Sequence, residues 1–261
     1  MGDFDYIIVG GGSSGATLAG RLAADPSLKV LLLEAGPSDG SLKIKVPLGY
    51  GSLFYDQKFN WKYETEPEPE LKGRRMYWPR GKVLGGSSAI NAMVYVRGHP
   101  NDYEEWADVA PSWNWSNVEP YFKKIESWKG EDSPVRGKSG PVGVTNVEND
   151  VHPLTANYLE AGQELGFPYN RDYNGNHMEG VAVYQTTTFN GLRVSSASAY
   201  IAKKKRSKNL KVISNALVTN LIFEGKRVVG VSFFKGNKET KVLTRGEVIL
   251  SAGALNSPQL L

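Results

Sequence analysis

The stretch from Tyr6 to Glu34 restricts what this chain can fold into more than any other. Tyr6-Ile7-Ile8-Val9 is a short, β-branched apolar run, the pattern of a buried strand. Gly10-Gly11-Gly12-Ser13-Ser14-Gly15 follows directly, and its glycines at 10, 12 and 15 fit G-x-G-x-x-G. Gly10 suits the tight turn, Gly12 lets a diphosphate approach the backbone, and Gly15 lets the next helix pack on the strand. Ser13 and Ser14 stand where a helix N-terminus offers free N–H groups and partial positive charge to a diphosphate. Ala16 to Ala24 reads as that helix, with Ala19 extending the small-residue stripe, and Asp25-Pro26 ends it. Val30-Leu31-Leu32-Leu33-Glu34 is the second strand, and Ala35 follows it. Glu34 can accept hydrogen bonds from both hydroxyls of an adenosine ribose, and it would repel the 2′-phosphate of NADP. A lone glycine fingerprint would equally suit an ordinary β–α turn with a solvated Glu34. Strand, turn, helix, strand and terminal acid in this order predict a dinucleotide site.

The rest of the composition narrows the class. A chain of 261 residues with 40% apolar and 11% aromatic residues can bury a core in one large domain or two smaller ones. Without cysteine there is no disulfide, thiolate metal site or cysteine nucleophile, which fits a reducing compartment. The net charge of +4 is modest. Its one dense basic run, Lys203 to Lys208, reads as a solvated helix end, with nucleic-acid binding or nuclear targeting as the lesser alternative. No segment reaches the length of a membrane span, and the first strand begins too near Met1 for a signal peptide. These features predict a soluble, cytoplasmic protein with no integral membrane segment and no nucleic-acid partner.

After Glu34, Ala35 to Gly40 is loop by composition, and Thr65 to Glu70 alternates with prolines that exclude a helix interior or central strand. A long irregular stretch of this kind is usually functional or lies across a ligand. Trp78 to Gly98 is the second informative stretch. Within it, Gly85-Gly86-Ser87-Ser88 leads into an apolar, helix-compatible run. On spacing alone it reads either as a glycine turn with a serine N-cap or as a cradle for an oxygen-rich ligand.

Gly81-Lys82-x-Leu84-Gly85-Gly86-Ser87-Ser88-x-Ile90-Asn91, followed by Tyr95, Gly98 and Glu104, resembles the first signature of the glucose–methanol–choline (GMC) oxidoreductases, without a departure in this stretch. The likeness extends over the whole chain. It implies an α/β fold: a doubly wound, Rossmann-like FAD-binding domain with an inserted, incomplete substrate domain. The expected division is residues 1–145 and 205–261 for the FAD domain and 146–204 for part of the substrate domain. It also implies that Arg80 and Ser87 belong to the cofactor site, and that Val83, Gly85 and Gly86 line the isoalloxazine and diphosphate by main chain. Asn91, Ala92, Met93 and Val94 would stand beside the reactive ring. Val218 would touch the adenine by main chain, and Ala252 and Gly253 would bring backbone to the cofactor. Some members attach FAD through a histidine where this chain has Ile90, so non-covalent FAD is expected. The implied reaction is oxidation of an alcohol CH–OH group by hydride transfer to FAD, choline- or aliphatic-alcohol-dehydrogenase-like, with an electron acceptor that the sequence does not name. The family's catalytic histidine is expected beyond Leu261, in a longer chain. An FAD-binding fragment without turnover is the alternative, and the Gly81 to Gly98 stretch argues against an NAD-dependent dehydrogenase.

The remaining segments read as follows. Helices are expected after Asn101-Asp102-Tyr103-Glu104 and from Ser116, whose Glu119 completes a capping box. Trp106, Trp113, Trp115 and Trp128 read as core. His99 could be a catalytic histidine, but the family resemblance makes it structural, and His152 and His177 are isolated and suggest no metal site. Glu131 to Pro141 is turn-rich and the candidate domain boundary. His152 to Leu165 predicts an amphipathic helix with Leu154, Tyr158, Ala161 and Leu165 on one face. Val181 to Phe189 alternates like a strand, and Gly191 to Ile201 resembles the family's return to the flavin domain. Three strands follow at Leu210 to Ser214, Leu217 to Phe223 and Val228 to Phe234, then a buried strand from Val248. Gly253 to Leu261 resembles the start of a second family signature.

Overall fold

The structure, a computed structural model, describes residues 3–202 and 207–261. It divides into two compact units, Met1–Ala92 with Leu192–Leu261, and Met93–Gly191. The breaks fall at Met93 and Leu192, where the sequence suggested 145/146 and 204/205. Most of the basic run at Lys203 to Lys208 lies outside the described residues.

The first unit begins with β1 (Phe4–Val9), α1 (Ser13–Leu22) and β2 (Val30–Glu34). Tyr6 to Val9 pair in parallel register with Val30 to Leu33. Ile7, Ile8, Val30 and Leu32 are fully buried, which is why Tyr6 to Val9 and Val30 to Leu33 are unbroken apolar runs that do not alternate. α1 packs through Gly15, Ala16, Ala19 and Gly20. Two single-turn helices, α2 (Leu42–Lys45) and α3 (Tyr50–Leu53), precede a two-stranded ribbon of β3 (Tyr63–Glu64) and β4 (Tyr77–Trp78). Ile44, Leu53, Phe59, Val83, Ala89 and Ile90 form a separate apolar cluster beneath this irregular region. Gly86–Ala89 makes one 3₁₀ turn, and no helix follows it. Met93, in the left-handed region at φ 63°, is incompatible with the helix that the run allowed.

In the second unit, α4 (Pro100–Ala107) starts at His99, whose Nδ1 accepts from the Asn101 N–H while Asp102 accepts from the His99 N–H. α5 (Trp115–Ile125) is capped by Asn114, which accepts from the Asn117 N–H at 3.0 Å, so the cap is not Ser116. β5 (Glu126–Trp128) runs parallel to β6 (Val142–Asn146). α6 (Leu154–Glu164) follows, but its predicted apolar face is open: Leu154, Tyr158 and Leu165 are largely exposed. The strand expected at 181–189 shrinks to β7 (Gln185–Thr186), which pairs antiparallel with β6, and β8 (Thr188–Phe189). Val181 instead exchanges backbone bonds with Pro168 and Asn170, after a turn at Gly180 with φ 118°. Trp106 and Trp113 are half-exposed with rings 5.8 Å apart, whereas Trp128 is buried beneath the Arg136 guanidinium.

The chain re-enters the first unit at β9 (Leu192–Arg193). β10 (Leu210–Ser214), β11 (Leu217–Glu224), β12 (Arg227–Lys235), β13 (Lys238–Leu250) and α7 (Gly253–Leu260) complete it. The main sheet has the order β10-β2-β1-β13-β12-β11. β13 is the hinge of this order. Its last residues pair parallel with β1, and its first half pairs antiparallel with β12. The result is a mixed α/β fold with a Rossmann-like parallel half. Among the described residues, no helix is long and apolar enough to cross a membrane.

Candidate functional site

β1, β2 and β13 reach their carboxyl ends at Val9, Glu34 and Leu250, and in sheets of this kind ligands bind at that edge. A cleft of about 1070 Å³ lies there within the first unit. It is larger than the usual small-molecule pocket and long enough in lining to follow an extended ligand.

The glycines of the first turn have separate steric reasons. Gly10 has φ 96°, and a Cβ there would lie 2.5 Å from the Ser251 carbonyl oxygen. At Gly15 a Cβ would lie 1.9 Å from the Gly10 carbonyl oxygen, so α1 reaches its close seat only without a side chain. Gly12 differs: the nearest protein atom to an added Cβ is 3.7 Å away, so its surface is open to a ligand. Gly12 is also the N-cap of α1; no side chain caps the helix and its first turn holds no acid. The backbone donors at Ser13 and Ser14, both in the cleft wall, therefore face no built-in anion.

Glu34 supplies the opposite polarity. Its Oε2 accepts from the Gly11 N–H and its Oε1 from the Gly36 N–H, each at 2.8 Å. Both oxygens keep acceptor capacity for a further donor. Burial pushes its pKa up to about 7, against the two amide hydrogen bonds and the charge of Lys82. The carboxylate thus stands in the cleft wall, held in one orientation, with its ionised form under tension.

The structure gathers Gly10, Gly12, Ser13, Ser14, Glu34, Ala35, Arg80, Gly86, Ser87, Val218, Ala252 and Gly253 around this one cleft. Arg80 bonds the Pro79 carbonyl and lies over the Trp78 ring. Gly15, Val83 and Gly85 do not line it. Gly15 is buried on the packed face of α1, Val83 belongs to the apolar cluster, and the Gly85 N–H donates to the Gly11 carbonyl at 2.7 Å, joining the two glycine turns. Asn91 and Ala92 are exposed on the first unit beyond the cleft lining, and Met93 and Val94 belong to the second unit.

Among the cleft residues that escaped the sequence reading are Trp61, Tyr63 and Asn256. Trp61 and Tyr63 stack with centroids 5.8 Å apart, Lys82 lies over Trp61, and the Tyr63 hydroxyl donates to Asn256 Oδ1 at 2.6 Å. This bond ties the β3–β4 ribbon to α7 across nearly two hundred residues, and no local pattern announces it. Conversely, none of the three histidines is in the cleft lining. His99 caps α4, His152 Nδ1 accepts from the Leu154 N–H, and the His177 carbonyl accepts from Asn170. Among the described residues, no cluster of acids and histidines could hold a metal ion.

The cleft therefore offers N–H donors to an anion, a carboxylate to hydroxyl groups, and the apolar Ala216, Leu217 and Val218 to a flat ring. The GMC oxidoreductase family model matches residues 4–261. The chain is 45% identical to an alcohol dehydrogenase [acceptor] of Pseudomonas putida, over 99% of this chain and 47% of that protein. It is 44% identical to the mitochondrial choline dehydrogenase of Homo sapiens, over 99% of this chain and 45% of that one. In three dimensions it resembles a pyridoxine 4-oxidase from Mesorbium loti, with TM-score 0.93 and 36% identity over 98% of this chain and 50% of that one. An FAD-dependent oxidoreductase from Chaetomium thermophilum gives TM-score 0.91 and 33% identity over 99% of this chain and 47% of that one. The chain spans about half the length of these relatives. On the match over nearly its whole length, the chain belongs to the GMC oxidoreductase family.

Proposed function

We propose that the unit formed by Met1–Ala92 and Leu192–Leu261 binds FAD non-covalently, in a protein that oxidises the CH–OH group of choline or an aliphatic alcohol. The observation that carries this is the pairing, in one cleft, of the uncapped α1 N-terminus with the fixed Glu34 carboxylate. The backbone at Gly12, Ser13 and Ser14 would bind the diphosphate. Glu34 would accept hydrogen bonds from the adenosine ribose hydroxyls, and Val218 would lie against the adenine. The turn at Gly86 and Ser87 would take the flavin side of the diphosphate, with Asn91 and Ala92 beyond it toward the ring. When bound, FAD supplies a two-electron acceptor for the hydride that leaves the alcohol carbon. Ile90 supports the non-covalent reading, since its buried side chain carries no nucleophilic atom. Met93–Gly191 would form part of the substrate-binding region.

One observation favours the narrower reading, FAD binding without turnover by this chain: no histidine lines the cleft to take the hydroxyl proton. A visible absorption spectrum of the purified protein, before and after acid precipitation, tests the cofactor. Flavin bands released into the supernatant are the expected result. Flavin kept in the pellet would defeat the non-covalent reading, and a folded protein that bound NADH and no FAD would defeat the flavoprotein reading.

A further inference from the structure

Arg193 on β9 is buried, only 5% exposed. The other deeply buried arginines, Arg97 and Arg136, both pair with Glu126. Among the described residues no ion pair is formed by Arg193, and burial alone draws its pKa down to about 10. Its Nε donates to the Ile44 carbonyl at 2.8 Å. Its Nη1 donates to the Ser88 carbonyl at 3.3 Å and to Asn91 Oδ1 at 2.8 Å, while Nη2 is buried without a partner. Burying an unpaired guanidinium is costly, and such groups persist where their field is used.

The positions of its acceptors suggest the use. Ser88 belongs to the turn whose Gly86 and Ser87 line the cleft, and the exposed Asn91 follows that turn, its N–H donating to the Ser87 carbonyl at 2.9 Å. With Oδ1 held by Arg193, the carboxamide is fixed in one orientation. We infer that Arg193 is a positioning residue for the flavin end of the site: it orients Asn91 and places a buried positive charge behind the turn, favouring the electron-rich reduced ring over the oxidised one. This rests on the FAD reading above. In a low-dielectric setting, one uncompensated charge acts over several ångströms, so contact with the ring is not required. A purely structural clamp would hold the turn and leave the cofactor's electron affinity alone.

The test measures the midpoint potential of bound FAD and the dissociation constant of oxidised FAD, for the unaltered protein and for Arg193→Gln. The expected result is oxidised-FAD affinity within about threefold of the unaltered protein. Reduced FAD should be held at least tenfold less tightly relative to oxidised, which for a two-electron couple is a fall of about 30 mV. An unchanged potential with FAD bound would overturn the inference. If Arg193→Gln does not fold, Arg193→Lys carries the test through its pH profile. Burial without a carboxylate strips the charge from a lysine at lower pH than from this arginine, so as pH rises the potential of the lysine variant should fall below that of the unaltered protein before Arg193 itself titrates. Parallel profiles would overturn the inference. Failure of the unaltered protein to bind FAD would defeat the FAD reading itself, and this inference with it.

Discussion

Glu34 concentrates the physics of the site in one side chain. Its carboxyl is raised from 4.5 to about 7 because burial disfavours the charge more than two amide donors and Lys82 favour it. The sign for stability follows directly. A raised carboxyl pKa means the folded state holds its proton more tightly than the unfolded chain, so its contribution is full below about pH 4.5 and is lost as pH rises through about 7. The span corresponds to about 3 kcal/mol. The unaltered protein should therefore lose stability by that order in urea unfolding between about pH 5 and pH 8, whereas Glu34→Gln should be nearly flat. Equal slopes for the two would refute the argument. Ligand binding has the opposite sign: only the ionised form accepts from two hydroxyls, so added FAD should recover more stability near pH 8 than near pH 5. At this scale the sequence was informative where chemistry is local. Gly10, Gly12, Gly15 and Glu34 sit at the spacings of a dinucleotide turn, and the strand, helix and strand around them resolve what the glycines alone leave open. Trp61, Tyr63 and Asn256 were not readable, since their roles arise from a contact between chain segments 193 residues apart.

At the scale of elements, the joint between β1 and α1 separates two kinds of glycine. A methyl at Gly15 would strike the Gly10 carbonyl at 1.9 Å and Ser251 Oγ at 2.5 Å, and the carbonyl is fixed in the first turn. Gly15→Ala should cost about 3 kcal/mol, the upper range for overpacking, seen as a lower urea midpoint with or without ligand. Gly12→Ala meets nothing closer than 3.7 Å and costs only the poorer N-cap, about 1 kcal/mol or less. Its penalty should fall on FAD affinity, because the methyl occupies the open face above the helix terminus. A Gly12→Ala protein that bound FAD as tightly as the parent would exclude the α1 terminus as the diphosphate site. The strands of the parallel half were legible because burial on both faces leaves unbroken apolar runs. The full length of β13 was not: Lys238 to Arg245 is mostly polar, with charges at Lys238, Glu239, Lys241 and Arg245 that follow no strand period, and only Val248 to Leu250 form an apolar run. The helix expected after Ala89 failed for a backbone reason, the left-handed Met93, which composition does not reveal.

For the whole molecule, the division at Met93 and Leu192 shows why turn-rich composition marks loops better than boundaries. Glu131 to Pro141 has every sign of a linker, yet β5 before it and β6 after it pair in parallel, so the loop lies inside one unit. What ties Met93–Gly191 together is ionic. Glu126, fully buried, accepts from Arg97, from Arg136 Nε at 2.8 Å and from the Gly137 N–H at 3.2 Å. Arg136 reaches on to Asp172 and Gln185, and Asn174 joins Gln185 to the Arg97 backbone. Residues from 97 to 185 thus share one connected network, in which Arg97 Nε alone of its guanidinium nitrogens is left without a partner, and no periodicity in the sequence encodes it. Removing one partner from such a network leaves uncompensated charge, which costs about 3–5 kcal/mol, whereas an exposed pair is worth about 1 kcal/mol or less. Glu126→Gln leaves the buried Arg97 without an anion and Arg136 with Asp172 alone, while Asp56→Asn breaks only the exposed pair with Lys43. Amide hydrogen exchange should then show protection falling across Met93–Gly191 in Glu126→Gln, with β1, β2 and β13 unchanged, and almost no effect of Asp56→Asn. Uniform loss of protection in both units would mean that they unfold as one body, and no loss would mean that the network is dispensable.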